Sequence, residues 1–74
     1  MTLNEKIGFQ LRFERMRKKL TIDQMAQLLH VAKNTVSYLE LGKKNITVED
    51  LKKYCEILDC NYVSILERAD SMED

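Results

Sequence analysis

The sequence predicts an all-α fold, a single domain of five short helices, and three observations carry that prediction. Its 74 residues include no proline and are 45% apolar, a composition suited to a packed helical domain. Apolar residues recur at intervals of three and four, the spacing that lines one face of a helix. Thr21, Thr47 and Asn61, whose side chains can cap a helix start, stand directly before such runs. A chain of this length buries only about 60% of its unfolded surface and is marginally stable alone. No apolar run approaches the roughly 18 residues of a membrane span. There is no recognisable signal peptide either, so a soluble cytoplasmic protein is expected.

The first helix is expected from Leu3 or Asn4 to about Lys19. Ile7, Leu11 and Arg15 share one face, and Phe9, Phe13, Met16 and Leu20 make a second stripe. Two apolar stripes exceed what one packed face needs. Either both serve a core shared with the C-terminal helices, or Phe9 and Phe13 form a partner surface. The basic run Arg12, Arg15, Arg17, Lys18 and Lys19 reads mainly as a solvated face, with the last three exposed and placed to lie near phosphate.

The second helix carries Ile22, Met25, Ala26 and Leu29 on one face, with Thr21 as its cap and Gln24 completing a capping box. The pattern breaks at His30-Val31-Ala32 and resumes over Lys33 to Leu41. There Ala32, Thr35, Val36 and Leu39 form an inner arc, and Lys33, Asn34, Ser37 and Tyr38 the opposite one. Gly42 ends that helix in the left-handed conformation. Two helices joined so closely cross steeply, the layout of a helix-turn-helix. Thr47 with Asp50 opens a fourth helix to about Leu58, with Val48, Leu51, Cys55 and Leu58 inward and Tyr54 and Ile57 as a second stripe. Asn61 caps a last short helix presenting Tyr62, Ile65 and Leu66 together. Fraying is expected beyond Arg68, which gives a domain over residues 1–68 and an acidic tail over residues 69–74.

Net charge is zero but unevenly spread. Residues 1–66 hold 11 Lys/Arg against 8 Asp/Glu, a net +3, and residues 67–74 hold 1 against 4, a net −3. A mildly basic body permits binding to nucleic acid without proving it. Cys55 and Cys60 read as small apolar core residues. Zinc needs four ligands, and the single histidine, His30, is far away in sequence, so no metal or cofactor is expected. No acid–base pair, nucleophile with a base, or phosphate loop stands out, so an enzyme is not expected.

The run from Ile7 to Asn45, IGFQLRFERMRKKLTIDQMAQLLHVAKNTVSYLELGKKN, resembles the phage Cro and repressor family of helix-turn-helix regulators (the XRE family). The features that match are Ile7-Gly8, Leu11-Arg12, Arg15, Leu20-Thr21, Met25-Ala26, Leu29, Val31, Thr35-Val36-Ser37, and Leu39-Glu40 followed by Gly42. The likeness continues to about Leu66. It implies a compact lambda-repressor-like domain that binds double-stranded DNA and regulates transcription. It also implies that Lys33, Asn34, Ser37 and Tyr38 contact bases in the major groove, with Thr35 a secondary candidate. Thr21, Ile22, Thr35, Lys43, Lys44 and Asn45 are expected along the DNA backbone. Arg15 is implied to pair with Glu40 beneath the third helix.

The chain departs from the family pattern in places. His30 and Asp59 stand where glycine is usual, Ala32 where a Ser or Thr cap is usual, and Ile22 where a phosphate-contacting glutamine is frequent. Ile46 replaces a common proline, and Glu14 occupies a usually apolar position, consistent with a slightly rotated first helix. These departures keep a second reading open: a protein-interaction module of the same fold, an antagonist of a related regulator or an antitoxin.

One such domain reads only about half a turn of duplex, too little for a useful specificity ratio in a genome. Related regulators dimerise, with recognition helices about 34 Å apart on a palindromic site. A small homodimeric repressor is therefore the expected form. Tyr62, Ile65 and Leu66, with Tyr54, Ile57 and Val63 near them, are the candidate interface, and Phe9 with Phe13 is the rival.

Overall fold

A computed structural model describes residues 1–73 of the chain, in five helices. They are α1 (Leu3–Arg17), α2 (Ile22–Leu29), α3 (Lys33–Leu41), α4 (Val48–Leu58) and α5 (Tyr62–Ser71). Capping explains most of the starts. Thr2, Thr21 and Thr47 each accept a hydrogen bond from the backbone N–H three residues on, and the side chains of Glu5, Gln24 and Asp50 accept from the cap's own N–H. Asn61 caps α5 by accepting from Val63 N–H at 2.8 Å. The box at Thr2 and Glu5 went unread in the sequence.

The first four helices stop by one shared device, and α5 ends instead in extended backbone at Met72. Lys19, His30, Gly42 and Asp59 all adopt positive φ, between 53° and 73°. The residue after each donates its N–H back into the helix, as Val31 does to the Ala26 carbonyl at 3.0 Å. Three of the four residues are not glycine, and αL backbone costs an ordinary L-residue roughly 1–2 kcal/mol.

The core collects Leu11, Met25, Val36, Leu51, Tyr54, Leu58 and Ile65, all fully buried. α1 lies against α3 and α5. Gly8 permits the approach to α3, because a Cβ there would collide with the Leu39 and Glu40 carbonyl oxygens.

Four expectations need correcting. Phe9, Phe13 and Met16 are 49%, 52% and 56% exposed, so only Leu20 of the second α1 stripe packs on the core. α4 turns Tyr54 inward and leaves Val48 exposed at its first turn, since Leu51, Tyr54, Cys55 and Leu58 make the tighter i, i+3, i+4, i+7 face. Ile65, expected in an intersubunit patch, is fully buried in the domain's own core. The chain does not fray at Arg68: α5 runs to Ser71 because Ala69 is fully buried, and Met72 Sδ accepts from Gln10 Nε2 at 3.2 Å.

Candidate nucleic-acid interface

Met25 and Ala26 of α2 and Val36 and Leu39 of α3 are buried in one core, which fixes the two helices against each other. His30 makes the turn between them at φ 58° and ψ 43°. Histidine tolerates the left-handed well better than most side chains. α3 then begins at Ala32, which offers no side-chain cap.

With Val36, Leu39 and Glu40 inward, the opposite arc of α3 meets solvent. Lys33, Asn34 and Tyr38 are exposed, and Thr35 and Ser37 are half-buried. Lys33 Nζ lies 3.8 Å from an Asp23 carboxylate oxygen, with both side chains 64% exposed. So exposed a pair contributes little and leaves the lysine free to swing. Beside α2, Thr21 is exposed but its Oγ1 accepts from Gln24 N–H, and Ile22 is half-buried and brings no polar side-chain atom. Past Gly42, Lys43, Lys44 and Asn45 are exposed. Asn45 is tied back to α1, its Oδ1 accepting from Asn4 Nδ2 at 2.7 Å.

Behind this surface sits a buried ionic cluster. Arg15 donates from Nε and Nη2 to the two carboxylate oxygens of Glu40 at 2.7 and 2.9 Å, and from Nη1 to the Leu20 carbonyl at 2.7 Å. Tyr54 Oη donates to the same carboxylate. The two charged residues are 7% and 6% exposed. A planar guanidinium fork on a carboxylate fixes orientation as well as distance, so α1, α3 and α4 are locked beneath the exposed arc. Hydrogen bonding to Glu40 pushes the Arg15 guanidinium up despite its burial. Burial, then the bond to Glu40, pushes the Tyr54 hydroxyl well above the usual tyrosine range.

Tyr54 is the member that sequence reasoning missed. Its signal was available: it lies three residues from Leu51 and four from Leu58, on their face. Arg12 was also underweighted. It lines an open groove of about 240 Å³ with Ile22, Ser37 and Leu41, at the edge of the exposed arc.

Around α5, Tyr62 and Leu66 are half-buried and Val63 is 46% exposed. Leu66 joins Leu3, Glu67 and Asp70 around a shallow groove of about 310 Å³. Among the described residues no group of His, Cys, Asp and Glu could hold a metal ion, and no helix is long and apolar enough to cross a membrane.

The chemistry on offer is a convex helix with a lysine, an amide and a phenol in a row. B-DNA's major groove admits one such helix and presents a distinct donor and acceptor pattern for each base pair.

A family model described as helix-turn-helix matches residues 11–65. The structure is similar to that of the clp gene regulator ClgR from Corynebacterium glutamicum, with TM-score 0.90 and 31% identity over 99% of this chain and 96% of that one. It is also similar to the restriction-modification controller protein C.AhdI from Aeromonas hydrophila, with TM-score 0.77 and 26% identity, covering 82% of this chain and 92% of that one. The controller protein C.Esp1396I shares the fold at TM-score 0.83 and 19% identity, over 100% of this chain and 99% of that one. No curated protein gives a significant match.

Proposed function

Because the chain belongs to the XRE-type helix-turn-helix family of DNA-binding transcription regulators, we propose that it is a homodimeric repressor whose α3 reads a palindromic operator. The observation that carries this reading is the exposed arc of Lys33, Asn34 and Tyr38, with the half-buried Ser37 beside them, on a helix clamped from behind by Arg15, Glu40 and Tyr54. Lys33 donates to guanine O6 and N7, Asn34 pairs bidentately with adenine, and Tyr38 hydrogen-bonds or packs on a thymine methyl. Lys43, Lys44 and Asn45, with Thr35 and the first turn of α2 at Thr21 and Ile22, sit against phosphates and set the register.

The dimer follows from the small footprint of one domain. With Ile65 committed to the core, the surface that fits a second copy is the groove of Leu3 and Leu66 rimmed by Glu67 and Asp70, with Tyr62 and the exposed Val63 also on α5. Bound across an operator, such a dimer represses by occupying DNA that polymerase needs.

The uncapped start of α3 at Ala32 and the apolar Ile22 favour a second reading, in which the domain binds another protein instead. A gel shift on DNA upstream of the protein's own gene, at two salt concentrations, separates them. The repressor reading expects a discrete complex that weakens steeply with salt. It also expects two chains per duplex by analytical ultracentrifugation, with Leu66→Asp giving monomers that bind poorly. A folded wild type that stays monomeric at tens of micromolar on and off DNA would remove the dimer. Absence of any retarded complex at low salt would favour the protein-binding reading.

A further inference from the structure

We propose that the outer face of α1 is a docking site for an acidic amphipathic helix of another protein, distinct from both the α3 arc and the α5 groove. Phe9, Phe13 and Met16 are each about half exposed, at i, i+4 and i+7, on the side of α1 opposite Ile7 and Leu11. Scattered apolar side chains on a surface need no explanation, but a contiguous aromatic ridge on a small domain marks an interaction site. Phe9, Phe13 and Met16 lie off the arc of α1 that Gly8 and Arg15 pack on α3, and Arg12 at the ridge's edge also lines the groove beside Ser37.

The ridge is also pre-ordered. The Arg68 guanidinium lies 5.8 Å from the Phe13 ring centroid, held there by Gln10 at 2.9 Å and Glu14 at 3.1 Å. A ring fixed before binding loses little freedom on binding.

Charge selects the occupant. Arg12 and Arg17 flank the ridge on either side, Lys18 and Lys19 follow, and all four are exposed. Between Phe9 and Lys19 the one carboxylate, Glu14, is buried and already neutralised by Arg17 and Arg68, each at 3.1 Å. A second copy is the poorer occupant. Meeting ridge to ridge, it would bring the same cations to the contact, and of its two α1 carboxylates Glu5 already serves the Thr2 capping box and Glu14 is buried. An acidic helix supplies both halves of the match, an apolar stripe for the ridge and carboxylates for its flanks.

The test uses an 18-residue helical peptide with leucines at i, i+3, i+4 and i+7 flanked by glutamates, and a twin with lysine for every glutamate. Each is titrated into the full ¹⁵N-labelled chain and followed by amide shifts. The glutamate peptide should shift residues 9–17 and Arg68 and saturate, while the lysine twin should not bind. Phe13→Ser, and separately Arg12→Gln with Arg17→Gln, should weaken binding at least about tenfold. Phe13→Ser should keep its melting temperature within a few degrees and its DNA affinity within about twofold; Met16→Ser serves in its place if it does not fold. Equal binding of the two peptides, or shifts that map elsewhere, would overturn the proposal. So would a wild-type dimer that Phe13→Ser converts to monomer, which would assign the ridge to a second copy. DNA binding is read out separately, so failure of the repressor reading leaves this test intact.

Discussion

The residues that decide most about this domain are Arg15, Glu40 and Tyr54. Desolvating two charges costs several kcal/mol, and their attraction offsets that only with good geometry and every remaining donor and acceptor engaged. The bidentate fork, the Leu20 carbonyl and the Tyr54 hydroxyl meet those conditions here. Removing one partner strands the other, so Arg15→Ala and Glu40→Ala should each destabilise by about 3–5 kcal/mol in urea unfolding. The double variant should recover part of that loss. Additive effects below about 1 kcal/mol would show both side chains to be solvated. Titration adds a second expectation. Burial, helped by the neighbouring Cys60, pushes the Cys55 thiol up to about 12, and the Tyr54 hydroxyl is also raised. Both groups therefore hold their protons longer folded than unfolded. Their stabilisation is fully present well below about pH 8.5, at which an unfolded thiol is half ionised, and is lost progressively as pH rises through and above that value. Urea midpoints should fall from pH 8 to pH 11, less steeply in Cys55→Ala; a flat profile would contradict the assignment.

At the scale of elements, starts and stops were largely legible because caps are local chemistry. Thr21 with Gln24, Thr47 with Asp50, and Asn61 predicted three starts that the structure shows, and Gly42 predicted one end. What periodicity could not say was which face of a helix its neighbours would take. α1 has two apolar stripes, and the choice fell to Gly8, where alone α1 can approach α3 so closely. On α4 the same ambiguity separates the stripe that includes Val48 from the one that includes Tyr54, and its neighbours take Tyr54. α5 runs past Arg68 to Ser71 because Ala69 is buried in the core, a contact that no local signal in the sequence marks. α3 remains the element with an open deficit, an N-terminus without a side-chain cap. Ala32→Ser should therefore stabilise by about 1 kcal/mol. In a domain of this size that raises the melting midpoint by roughly 4–8 °C. An unchanged midpoint would mean that the first turn of α3 is satisfied by other means.

For the whole molecule, three proposed functions fall on three parts of the surface: DNA on the α3 arc, a second copy at the α5 groove, and an acidic partner on the α1 ridge. The α3 arc was legible in the sequence because helical phase alone separates Lys33, Asn34, Ser37 and Tyr38 from Val36 and Leu39. The clamp beneath it was only two-thirds legible: the resemblance supplied Arg15 and Glu40, while the phase of Tyr54 with Leu51 and Leu58 marked it as inward-facing without naming its partner. The central claim is that α3 reads base sequence while the flanking lysines hold phosphate. The measurement that tests it most directly is binding to a set of duplexes carrying every single base change in the bound site, for Lys33→Ala, Asn34→Ala, Tyr38→Ala and Lys44→Ala at two salt concentrations. Each α3 variant should lose about 1–3 kcal/mol on the best site and relax base preference at one position per half-site. Lys44→Ala should instead weaken every duplex alike and flatten the salt slope by about one unit per protomer. Full wild-type base preference in all three α3 variants would contradict the account, because a different surface would then be reading the DNA.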